Sequence, residues 1–186
     1  KGVMNTSINI GNAWKAIKAY DSSLYYYRYA LKLAEKTRSH NDIIDCKINI
    51  GLLHNSKEQF DEGLKFFSAV QQQPLIKKHD SYPILLTGIG EAWLGKKQYA
   101  RSVVYLEEAL KYPSVHNKYE VPAQLNLDLA EAYKGLADYK KALGHFEAFK
   151  SLSDSLLNET NMQSINELSA KYETKQKEQR IELLNT

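Results

Sequence analysis

Four stretches of this chain align with one another at intervals of about 40 residues, and no other feature narrows the possible folds as much. They are "INIGNAWKAIKAYDSSLYYYRYALKLA" from Ile8, "INIGLLHNSKEQFDEGLKFFSAV" from Ile48, "TGIGEAWLGKKQYARSVVYLEEAL" from Thr87 and "LDLAEAYKGLADYKKALGHFEAF" from Leu127. In each, a small residue (Gly11, Gly51, Gly90, Ala130) stands three positions before Trp14, His54, Trp93 or Tyr133, and nine before Tyr20, Phe60, Tyr99 or Tyr139. Seven positions later come Tyr27, Phe67, Leu106 and Phe146.

Each copy reads as two helices. Ile10, Trp14 and Ile17, then Leu24, Tyr27, Leu31 and Ala34, recur at helical spacing, and "KAYDSS" interrupts the period, with Asp21 a candidate N-cap. Glycine at a fixed helical position costs about 1 kcal/mol against alanine, so its recurrence implies close approach of a partner helix. Pro83 and Pro122 suit the first turns of the helices that open copies three and four. A hairpin of this kind cannot cover its own apolar face, so successive hairpins are expected to stack.

The pattern resembles the tetratricopeptide repeat, and copy three, with Ile89, Gly90, Trp93, Tyr99, Ala109 and Pro113, carries the resemblance best. The resemblance implies an all-α, right-handed α-solenoid of about four helix hairpins over 1–157 (repeats near 4–40, 41–79, 80–118 and 119–157), followed by a C-terminal capping and linker helix over 158–186. It also implies a concave groove lined by the first helix of every repeat. In register, the groove positions are Asn5, Ile8, Asn12 and Lys15; Asp45, Ile48, Leu52 and Asn55; Ile84, Thr87, Glu91 and Leu94; and Gln124, Leu127, Glu131 and Lys134. Such a lining suits an extended or helical peptide or a protein partner. Tetratricopeptide domains that clamp chaperone C-termini use basic residues where this chain has Ile8, Ile84 and Gly88, so that two-carboxylate clamp is absent.

"SSLYYYRYALKL" raises a separate question. Tyr27 falls on the core face with Leu24, Ala30 and Leu31, while Tyr25 and Tyr29 form an i,i+4 pair on what should be the convex face. Two readings stand: half-exposed tyrosines with wet hydroxyls, or a contact surface for a second copy or another partner.

Composition excludes more than it selects. A net charge of +3, from 25 basic and 22 acidic side chains interspersed, gives no field for nucleic acid, and none is expected to bind this segment. The five histidines show no zinc-site spacing, Cys46 and His54 lie two helical turns apart, and no phosphate-binding loop appears. No catalytic residue, cofactor or metal is expected in this segment. "ALGHFEAFKSLSDSLLNETNMQSINELSAKYETKQKEQRIELLN" resembles the junction in Bacteroidetes signalling proteins, where a periplasmic tetratricopeptide sensor runs into a membrane span and then a histidine kinase or LuxR-type DNA-binding domain. Asp154, Ser155 and Leu156, with Lys171, Tyr172, Glu173 and Thr174, carry that resemblance. It implies a piece of a longer protein with a membrane span downstream, and a helix anchored at Met162, Ile165 and Leu168 that passes on a binding event. The alternative is a cytosolic regulator that binds a peptide or partner directly.

Overall fold

The computed structural model describes residues 2–112 and 120–184; within the last helix, side chains are described for 139–162 and then for 166, 169–171, 174, 177 and 178. The described residues are helical, with no strand among them: α1 (Gly2–Ala16), α2 (Tyr20–Lys36), α3 (His40–Ser56), α4 (Phe60–Gln71), a 3-10 turn (Ile76–Lys78), α5 (Tyr82–Gly95), α6 (Tyr99–Leu110), α7 (Glu120–Gly135) and α8 (Tyr139–Leu184). Helices pack in neighbouring pairs, α1 on α2, α3 on α4, α5 on α6 and α7 on α8, and each pair packs on the next. The odd-numbered helices also meet, α3 with α5 and α5 with α7.

The recurring glycine does what its spacing implies. Tyr27 and Phe67 are both 0% exposed. Phe67 is gripped from two sides, by Gly51 of its own pair and Gly88 of the next, where a Cβ would stand 2.6 Å from Phe67 Cζ. Gly11 admits Tyr27 and Gly90 admits Leu106 in the same way. Phe60 and Tyr99 reach forward onto Gly95 and Gly135 of the following pair.

Phe146 departs from its counterparts. It holds the register position of Tyr27 and Phe67 yet is 50% exposed, and Tyr139 and Leu143 nearby are exposed too, because α8 packs on α7 and nothing among the described residues covers its far side. Trp14 and Ile17, read from the helical period as part of an apolar stripe, are exposed at the other end. Met162, expected to anchor the last helix, is exposed; Ile165, Leu168 and Tyr172 lie outside the described side chains, and Pro113 outside the described residues. α8 is one unbroken helix of 46 residues, Tyr139–Leu184, and so continues past 157 without a break.

Asp21 is not an N-cap. α2 begins after Ala19 without a side-chain cap, and Asp21 instead receives Lys57 Nζ at 3.3 Å from the next pair, a contact repeated by Lys96 on Asp61. Each intra-pair turn is closed by the backbone. Lys18, Glu58, Lys97 and Ala137 adopt left-handed conformations (φ 57 to 59). The next amide donates back to the carbonyl of Trp14, His54, Trp93 or Tyr133 at 2.8 to 3.0 Å, a Schellman arrangement.

Candidate binding face

The sixteen groove positions divide by depth. On α1, Asn5 and Asn12 are exposed, and Asn12 Oδ1 accepts the Tyr27 hydroxyl, while Ile8 and Lys15 are half-buried. On α3, Ile48 is buried at 2%, so it forms the floor of the face rather than a free contact, and Leu52 packs beside the Phe67 cluster. Asp45 accepts Ser81 Oγ, and Asn55 Nδ2 donates to the Gly88 carbonyl at 2.7 Å. On α5, Ile84 is exposed, Thr87 Oγ1 donates to the Pro83 carbonyl, and Glu91 and Leu94 are half-buried. On α7, Gln124, Glu131 and Lys134 are exposed and Leu127 is half-buried.

Two clusters result. Ile8, Asp45, Ile48 and Ile84, joined by Asn49 and Ser81, line a cleft of about 220 Å3 shared by α1, α3 and α5. Farther along the same helices, Lys15, Asn55 and Glu91 come together with a residue the register positions omit, Asp128 of α7. Gln124 and Glu131 stand beside Asp128, while Asn5, Asn12, Leu52, Thr87, Leu94, Leu127 and Lys134 enter neither cluster.

The second cluster is electrostatically unusual. Glu91 retains some surface but is surrounded by protein, and its carboxyl is raised from 4.5 to about 7, by loss of water first and by the nearby Asp128 charge second, against opposing contributions from an Asn55 hydrogen bond and Lys15. Asp128, 8% exposed, is raised from 3.8 to about 6 by burial, opposed by the hydrogen bond from Gln124 Nε2 at 2.8 Å. Lys15 is lowered by burial, partly offset by Glu91. Asp128 Oδ2 and Asn55 Oδ1 are buried without hydrogen-bond partners.

A signal for Asp128 exists in the sequence. Leu125, Asp128, Leu129 and Ala132 follow i, i+3, i+4, i+7, which puts an aspartate on the apolar stripe of α7.

Ser81, His79 and Asp45 also converge, in an order unsuited to nucleophilic catalysis. The Ser81 hydroxyl donates to Asp45, and His79 Nδ1 accepts the Ser81 backbone N–H at 3.1 Å, so no base faces the hydroxyl. These groups fasten the start of α5 to α3. Cys46 is fully buried, its thiol pushed up to about 12 by burial, with Asp45, Asp42 and Glu35 adding to the effect. Among the described residues, no group of three or more His, Cys, Asp or Glu side chains could hold a metal ion. Nor is any helix there long and apolar enough to cross a membrane.

Tyr25 and Tyr29 are exposed on α2, bordering a shallow depression with Asp21, Leu24, Arg28 and Lys32. All six belong to one helix, so this surface is assembled from no more than a single element.

No protein-family model matches the chain, and no curated protein matches it either. Among solved structures, BtubC (BKLC) from P. vanneervenii is similar, with a TM-score of 0.66 over 82% of this chain at 14% identity. The match spans 64% of that protein's length, and at this identity the likeness concerns the fold alone. The class so defined is an all-helical chain of hairpins packed in sequence.

Proposed function

We propose that the chain is a tetratricopeptide-type α-solenoid whose odd-numbered helices bind a peptide or a peptide-like segment of a protein partner. The observation that carries this reading is the meeting, on one face, of register positions from separate repeats: Ile8, Asp45, Ile48 and Ile84 in the cleft, and Lys15, Asn55 and Glu91 beyond it. An aliphatic cleft with amide and carboxylate groups beside it matches what an extended main chain with one apolar side chain needs.

We extend the reading to signalling. α8 leaves the array as one unbroken helix, and its base packs on α7, which carries Asp128; a rearrangement of α7 on binding would displace it. In this reading the array is the periplasmic sensor segment of a membrane-bound bacterial regulator.

The test is selection of displayed 12-residue peptides on the purified chain, followed by an Ile84→Glu variant. Selected peptides lose binding to that variant if the cleft is the site. Enrichment no better than on bare support, or indifference to Ile84→Glu, overturns the reading. For the signalling extension, four residues are inserted after Thr174 in the intact protein, and unchanged output refutes it.

A further inference from the structure

We propose that the cavity between the first turns of α3 and the connection from α4 to α5 binds a monocarboxylate with a branched aliphatic body, either a free acid or the C-terminal residue of a peptide. At about 510 Å3 it is larger than the cleft of about 220 Å3 that carries the peptide reading. None of the sixteen groove positions lines it, so the inference stands apart from that reading.

The lining is divided by polarity. Ile44 and Ile76, each 7% exposed, give the cavity an aliphatic floor. Leu75 lines the same space, 72% exposed and held in a left-handed conformation (φ 64) that a leucine rarely adopts. An aliphatic group seated on Ile44 and Ile76 would take this side chain out of water, and burial of apolar surface drives that step.

His79 specifies the polar end of the ligand. Its Nδ1 accepts the Ser81 backbone N–H at 3.1 Å, and a backbone amide can only donate, so the ring is neutral with its proton on Nε2. That Nε2–H has no hydrogen-bond partner among the described residues, in a side chain only 12% exposed. Lys78, which also lines the cavity, forms no ion pair among the described residues. A fixed N–H donor and a free ammonium beside an aliphatic floor call for an acceptor that carries negative charge. Asp80 in the lining limits that charge, and Asp45, 4.0 Å from His79 Nδ1 and already accepting the Ser81 hydroxyl, adds to the limit. One carboxylate is offset by Lys78, whereas a phosphate or dicarboxylate would leave net negative charge facing Asp80.

Cavity and cleft share a wall. Asp45 and Ser81 line the Ile84 cleft, and both are neighbours of His79. A peptide lying in the cleft has the cavity as the place for its last residue, while a free acid needs the cavity alone.

Isotope-labelled protein is titrated with sodium isocaproate and with the uncharged isocaproamide, while the Ile44, Leu75 and Ile76 methyl groups and the His79 ring nitrogens are followed by NMR. The acid should give saturable shifts at all four residues, with a dissociation constant in the millimolar range, as a ligand of about eight heavy atoms allows. The amide should bind about tenfold more weakly or not at all. Leu75→Asp sets a like charge in the lining, in a left-handed conformation that aspartate tolerates, and should abolish binding of the acid with the helical circular dichroism unchanged. Lys78→Met should weaken it about three- to tenfold. A hexapeptide with a free C-terminal leucine separates the two sources: binding tighter than the acid, with shifts at Ile84 as well, assigns the cavity to peptide ends, and no gain over the acid assigns it to a free acid. No saturable shift with the acid, equal affinity for acid and amide, or indifference to both Leu75→Asp and Lys78→Met overturns the proposal, whatever displayed peptides do at the Ile84 cleft.

Discussion

Replacing Glu91 by glutamine should make the protein more stable above neutral pH and leave it unchanged in acid. The carboxyl titrates near 7 in the folded protein against 4.5 for the model acid. Because the folded value is the higher, the native state holds more protons than the unfolded chain between those limits, and stability falls as pH rises through the window. At ~1.4 kcal/mol per pH unit, the whole gap is worth roughly 3 kcal/mol, nearly all of it expressed by pH 8. Glutamine keeps the shape and an amide that can bond Asn55 but cannot ionise. Urea unfolding at half-unit steps from pH 4.5 to 8 would follow it. With a urea dependence of about 2 kcal/mol per molar, the variant midpoint should exceed wild type by about 1 M or slightly more at pH 8 and coincide with it at pH 4.5. Groups remote from residue 91 contribute equally to both proteins, so the difference between the two curves reports Glu91 together with its coupling to Asp128. Parallel curves, or a variant less stable at pH 8, would refute the placement of this carboxyl among desolvating neighbours.

Phe67→Ala should cost about 3–5 kcal/mol in denaturant unfolding, whereas Phe146→Ala, at the same register position but half exposed, should cost roughly 1 kcal/mol; equal losses would mean that α8 is covered after all. Gly88→Ala forces a methyl against Phe67 and Leu52 and should lower the melting temperature by several degrees, while Gly144→Ala, with nothing within 4 Å, should raise stability by up to about 1 kcal/mol. Ala137→Gly relieves a left-handed alanine and should stabilise by about 1 kcal/mol, a result that a destabilised variant would contradict. Cys46 should resist thiol reagents at pH 8 until the protein unfolds, and rapid native-state labelling would count against its burial.

Periodicity made the helix pairs and their core legible before any coordinates, because glycine at 11, 51 and 90 and the large residue sixteen positions on answer to one requirement, close contact between two helices. The turns were less legible. A Schellman closure uses backbone groups, and with lysine, glutamate or alanine in the left-handed position it has no glycine to announce it, so Asp21 drew the eye as a cap that the fold does not use. Burial at the first and last described helices departs from the repeat pattern for another reason. Register says which position a residue holds in its repeat but not what packs over it, and Phe146 is half exposed where Tyr27 and Phe67 are buried.

The binding face divides along the same line. Register placed Asn55 and Glu91 at equivalent positions of successive repeats, and the structure has Asn55 bonded to the Gly88 carbonyl and Glu91 half-buried. It omitted Asp128, whose role depends on what α5 brings to it, since an aspartate on the apolar stripe of α7 looks like a flaw in the core until the neighbouring helix supplies a second carboxyl. Burying two acids without a counter-ion lowers stability, and Leu or Asn at 128 would keep the hairpin packing without that cost.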